Sequence, residues 1–97
     1  MKDEDVQMLF FKTIANKTRF TIVNTLKEKA KNVNEICKDT GYEQSLVSHN
    51  LKLLKSTGFV DVKQEGKYRV YQLEKDNVSP MLEAIERHIH KQKKKEP

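Results

Sequence analysis

Ninety-seven residues with three glycines, two prolines and one cysteine make a single domain with a modest core and exclude an intrachain disulfide framework. Lysine and arginine outnumber aspartate and glutamate by 19 to 14, and the net charge of +5 with a pI near 9.3 favours a polyanionic partner, nucleic acid or an acidic membrane surface. No apolar run approaches the roughly 20 residues that span a bilayer, and the acidic start from Met1 to Asp5 is unlike a secretory leader, so a cytoplasmic protein with no membrane role is expected.

The first predicted element is a helix over residues 5–15. Its apolar residues Val6, Met8, Leu9, Phe10, Phe11 and Ile14 spread over about 260° of the helical wheel, too broad for a helix that covers only its own domain. Two contact surfaces are implied. With 36% hydrophobic and 34% charged residues, a core shared with a second copy suits the composition.

Residues 32–60 are the most informative stretch, with a helix-turn-helix over 33–56. Asn32 with Glu35 three residues on resembles a capping box, and Val33, Ile36 and Cys37 share one side of the helix it opens. Gly41 supplies a residue that takes a positive φ where the chain reverses, and Glu43 and Gln44 open the next helix. At about 100° per residue, Leu46, Val47, Leu51, Leu53 and Leu54 fall within an inner arc of about 160°. The outer arc holds Ser45, Ser48, His49, Lys52, Lys55 and Ser56, with no acid among them. Hydroxyls, an imidazole and cations are the groups that meet phosphates and base edges, whereas an ordinary solvated face mixes Glu with Lys. A glycine-bearing turn between two such helices is a helix-turn-helix plan.

Two alternating runs, Phe59 to Lys63 and Tyr68 to Leu73, flank Glu65 and Gly66 and predict a β-hairpin over 59–73. A hairpin directly after a DNA-reading helix is a wing, here cationic through Lys63, Lys67 and Arg69 and diluted by Glu65 at its tip. From Val78 onward, Met81, Leu82, Ile85 and Ile89 form a narrow apolar stripe, with Ser79 and Pro80 suited to a first turn, so residues 78–90 are predicted helical. Residues 91–97, with four lysines, read as a frayed basic tail that is solvated or touches DNA backbone without fixed geometry.

The string SLVSHNLKLLKSTGFVDVKQEGKYRVYQL at residues 45–73 resembles the core of the ArsR/SmtB group of winged-helix repressors, and ANKTRFTIVNTL at residues 15–26 resembles the segment that precedes it there. The likeness covers nearly the whole chain. It implies a mainly α winged helix-turn-helix in the order α-α-α-α-β-β-α, homodimeric, in which the first and last helices pair across a two-fold axis through Val6, Leu9, Phe10, Met81, Leu82, Ile85 and Ile89. It also implies that Gln44, Ser45, Ser48 and His49 approach base edges of double-stranded DNA, while Lys52, Lys63, Lys67 and Arg69 grip phosphates. Repression of transcription at a short inverted repeat follows.

The chain departs from the metal sites common in that group. Cys37 stands alone, Lys75 and Asn77 occupy the positions of the early Asp and His ligands, and His88 and Lys91 those of the late histidines. His88 and His90 are only two residues apart, about 200° around a helix, and so do not chelate one ion together. No metal and no cofactor is expected, and the sequence names no small-molecule effector. Cys37 reads as a small buried hydrophobe, with a thiol switch as the alternative. Two other readings stay open: a metal- or thiol-responsive repressor, and a winged helix that binds proteins without DNA preference. An enzyme has no support, for no glycine-rich phosphate loop or nucleophile elbow exists.

Overall fold

The computed structural model describes residues 2–95. Five helices and one antiparallel hairpin follow in the predicted order: α1 (Asp3–Ile14), α2 (Lys17–Leu26), α3 (Val33–Thr40), α4 (Gln44–Ser56), β1 (Val60–Glu65), β2 (Tyr68–Leu73) and α5 (Val78–Lys95). No helix among the described residues is long and apolar enough to cross a membrane.

Local chemistry sets most of the boundaries. Asn16 caps α2 by accepting from the Arg19 N–H at 3.1 Å. The α3 capping box is complete: Asn32 Oδ1 accepts from the Glu35 N–H at 2.8 Å, and Glu35 Oε1 accepts from the Asn32 N–H at 2.9 Å. Gly41, at φ 78°, ends α3 and turns the chain into α4. A Schellman motif closes α4: the Phe59 N–H reaches the Leu54 carbonyl at 2.9 Å and the Gly58 N–H the Lys55 carbonyl at 3.1 Å, with Phe59 and Leu54 both fully buried.

The hairpin pairs Val60 with Leu73 through to Glu65 with Tyr68. Gly66 at φ 60° followed by Lys67 at negative φ fits the Gly-X pattern of a two-residue II′ turn. A further bridge joins Lys31 to Tyr71 through two backbone hydrogen bonds of 2.8 and 2.9 Å, which docks the α2–α3 connection on the wing. One core lies between these elements: Ile22, Val23 and Leu26 of α2, Ile36 of α3, and Val47, Leu51 and Leu54 of α4, closed by Phe59, the hairpin and the first turns of α5.

The start of α5 is organised by Glu74, whose carboxylate accepts from the backbone N–H groups of Asp76, Asn77 and Val78. Those bonds, Val78 and Asn77 foremost, hold its carboxyl below the usual range. Ser79 and Pro80 sit in the first turn as expected, but the cap comes from upstream.

Several expectations are corrected. Leu82, assigned to the dimer surface, is buried in its own protomer with Val78, because positions i and i+4 of the first turns share the face lying on the core. Phe10, assigned likewise, is half-buried and stacks on Phe59 with ring centroids 4.3 Å apart. Leu46 and Leu53 are 40% and 38% exposed; they stand at the edge of the apolar arc of α4, about 60–80° from its centre, and the core does not reach that far. Lys91 to Lys95 continue α5 instead of fraying, since Lys and Gln favour helix and cations in the last turn complement the helix dipole. Residues 96 and 97 of that tail lie outside the described residues.

Candidate nucleic-acid interface

The wheel angles of α4 divide its outer face in two. Gln44, Ser48, Lys52 and Lys55 lie at about 160–240° from Leu46, and Ser45, Ser56 and His49 at about 260–300°. The structure follows that division. A groove of about 660 Å³ between α4 and the wing is lined by Gln44, Ser48, Lys52 and Lys55 on one wall and by Lys67, Tyr68, Arg69 and Tyr71 on the other. The N-terminus of α3, with Asn32, Val33 and Asn34, closes one end. Ser45 and His49 are exposed on the flank of α4 away from that groove.

The hairpin's alternation decides which wing cations join. Val60, Val62, Tyr71 and Leu73 point to the core, so Gln64 and Arg69 share that side and Arg69 reaches the groove. Lys63, paired with Val70, lies on the opposite side of the sheet together with Asp61 and Glu65. Five of the eight expected DNA contacts are thus brought to one groove, two to the adjoining flank of α4, and Lys63 to another surface. Asn34 and Tyr68 enter the groove without having been anticipated.

Electrostatically the groove is one-signed. Lys52, Lys55, Lys67 and Arg69 line it, no acid does, and none of them takes part in an ion pair among the described residues. Two are steadied by aromatic rings: Lys67 Nζ lies 5.6 Å from the Tyr68 centroid and the Arg69 guanidinium 5.9 Å from that of Tyr71. Such a surface collects phosphates, and an exposed helix with short polar side chains beside it fits a major groove about 12 Å wide.

The α3–α4 unit that carries this surface is pinned from behind. Lys31 is only 2% exposed, and its ammonium contacts Asp39 at 2.5 Å and Thr25 Oγ1 at 2.8 Å. The hydrogen bond from Lys31 holds the Asp39 carboxyl below its ordinary value, and the same bond holds Lys31 above its own against the opposing effect of burial. Cys37 is half-buried against the core, and no three His, Cys, Asp or Glu side chains come together as a metal cage among the described residues.

A family model described as bacterial regulatory protein, arsR family, matches residues 16–62. The HTH-type transcriptional regulator Rv0081 of Mycobacterium tuberculosis is 31% identical over 81 residues, which cover 82% of this chain and 70% of that protein. The biofilm growth-associated repressor of Agrobacterium fabrum is 29% identical over 77 residues, 79% of this chain and 66% of that one. Among solved structures, the homodimeric winged helix-turn-helix DNA-binding domain of Mb0332 from Mycobacterium bovis aligns with a TM-score of 0.84 at 25% identity, covering 95% of this chain and 90% of its own.

Proposed function

The chain belongs to the ArsR family of bacterial regulatory proteins and is a DNA-binding transcriptional regulator of winged-helix fold, not an enzyme, and from that premise we propose that it is a cytoplasmic, homodimeric repressor that holds the two halves of a short inverted repeat. In this reading Gln44, Ser45, Ser48 and His49 approach base edges, and Lys52, Lys67 and Arg69 grip phosphates. Lys63, beside two acids on the outer side of the wing, contributes less. The observation that carries the reading is the acid-free groove between α4 and the wing, whose cations take part in no ion pair among the described residues.

Assembly as a dimer is supported by exposed apolar side chains on both end helices, Val6, Leu9 and Phe11 on α1 and Ile85 and Ile89 on α5. It agrees with the homodimeric state of the Mb0332 domain. A two-fold axis sets two copies of α4 about 34 Å apart, one turn of B-DNA. Repression is supported by likeness to the Agrobacterium repressor, and it follows physically when the site overlaps a promoter.

In vitro selection from a random duplex library tests the proposal. Enrichment of an inverted repeat, bound at a stoichiometry of two chains per site, is expected. Equal affinity for every duplex would reject sequence-specific repression.

A further inference from the structure

Arg19 stands in the first turn of α2, at the meeting of three helices. Its Nε donates to the Thr13 carbonyl at 2.6 Å, and its Nη1 donates to Asn50 Oδ1 at 3.2 Å. Thr13 is the penultimate residue of α1, so its carbonyl is one of those the helix cannot satisfy from within, at the negative end of the dipole. Asn50 lies mid-way along α4 and is 5% exposed. Its Nδ2 donates to the Leu46 carbonyl of its own helix at 2.9 Å, which fixes the amide and turns Oδ1 toward Arg19. One planar guanidinium thus ties the end of α1 to the middle of α4.

Beside it, the ring of Phe10 in α1 stacks on Phe59, just past the end of α4. No direct hydrogen bond or ion pair joins α1 to α4 among the described residues, and a groove of about 320 Å³, lined by Leu9, Thr13, Leu53 and Thr57 with Arg19 among them, runs between the two helices. Asn50 is also the immediate neighbour of His49. A rotation of α4 that carried Asn50 away from Arg19 would swing His49 and Ser48 with it.

We infer that Arg19 is a positioning residue for DNA reading: it sets the angle of α4 on α1, and through α1 the separation of the two reading helices in the dimer. The inference rests on the homodimer proposed above. Its signature is selective. Each reading head keeps its own chemistry when the tie is cut, and only their mutual placement loosens.

Arg19→Gln cuts both arms of the tie, and Asn50→Leu removes the α4 arm, together with the Asn50–Leu46 bond inside α4, while filling the buried position with an apolar side chain of similar size, so it decides the matter where Arg19→Gln fails to fold. Affinity is measured for a selected inverted repeat, for its single half-site, and for repeats lengthened or shortened by one base pair. Half-site binding within about twofold of the unaltered protein, a roughly tenfold loss on the full repeat and a flattened spacing preference are expected. Equal losses on half-site and full repeat would mean a merely structural residue and overturn the inference.

A DNA-free arm separates this from the repressor reading. A spin label at Glu43→Cys, at the exposed start of α4 where the side chain makes no cap hydrogen bond, is placed in a Cys37→Ser background. Double electron–electron resonance then reads the distance across the dimer. The distribution is expected to broaden in either variant; an unchanged one overturns the inference, even where the unaltered protein prefers no repeat and the repressor reading itself fails.

Discussion

Ser48 and His49 are neighbours on α4 with different outlooks: Ser48 faces the groove shared with the wing, His49 the free flank. Ser48→Ala and His49→Ala are each expected to reduce affinity for the selected repeat by about 1–3 kcal/mol, read by fluorescence anisotropy. Both side chains are exposed, so the melting temperature should stay unchanged. The Lys31–Asp39 pair acts on stability instead. Asp39 titrates below its ordinary value in the folded chain, so its contribution is present above the ordinary carboxylate range and fades as pH falls through the lowered value. Lys31 titrates above its ordinary 10.5, so its contribution is complete below that and fades as pH climbs past the raised value. Thermal melts from pH 3 to 7 should show a flatter acid limb in Asp39→Asn. At neutral pH that variant should melt lower than Lys31→Met, because it leaves a buried ammonium without its Asp39 partner, whereas the methionine leaves only the Asp39 carboxylate, which is exposed to solvent. Asn50 was readable in the sequence in part: at about 40° on the α4 wheel it falls inside the apolar arc, where a polar side chain needs a buried partner. Lys31 carried no such mark. Its burial comes from Asp39 and Tyr71, contacts that the local pattern around residue 31 does not encode.

The helices and the hairpin were readable because their signals are local. The Asn32–Glu35 box and Gly41 act within a few residues of themselves, and the structure has both where the pattern placed them. A Cβ on Gly41 would meet nothing within 4 Å, so Gly41→Ala should cost about 1–2 kcal/mol from the positive φ alone, measured by urea unfolding. What each face touches is another matter. Periodicity put Leu46 and Leu53 with the core leucines, but the width of core available to α4 depends on α2, Phe59 and the hairpin, and it ends short of that edge. The wing shows the same limit. Its cations were evident, and their division between two sides of the sheet came only with the register. Neutralising Lys67 or Arg69 should therefore weaken binding to all duplexes alike and flatten the salt dependence by about one unit each, whereas Lys63→Gln should change the slope much less. Affinities at a series of sodium chloride concentrations read the three slopes.

At the scale of the whole chain, the protomer is extended. Its radius of gyration is 14.6 Å, against about 12–13 Å for a compact domain of this length, and its extents are 49 × 37 × 24 Å. The excess follows from α5, which lies on the core through Val78 and Leu82 and then runs out to Lys95 with Ile85 and Ile89 exposed. An amphipathic helix with an apolar stripe outside its own core suits a partner surface, and in the proposed homodimer the broad apolar girth of α1 would supply one from the second copy. The two ends of the same stripe then behave differently. Leu82→Ala should cost about 2–5 kcal/mol of protomer stability, because it opens a cavity in the core. Ile89→Ala should leave the protomer intact and act on assembly. Burying an isoleucine is worth about 1.5–3 kcal/mol and a two-fold interface counts each substitution twice, so the dimer dissociation constant should rise about a hundredfold or more. Sedimentation velocity at graded concentrations, with helicity followed by circular dichroism, separates the two cases. Ile89→Ala should also lose tight binding to the full repeat while keeping half-site affinity, since each reading head stays whole. A variant that remained dimeric at the same concentrations as the unaltered protein would place the interface elsewhere on the molecule.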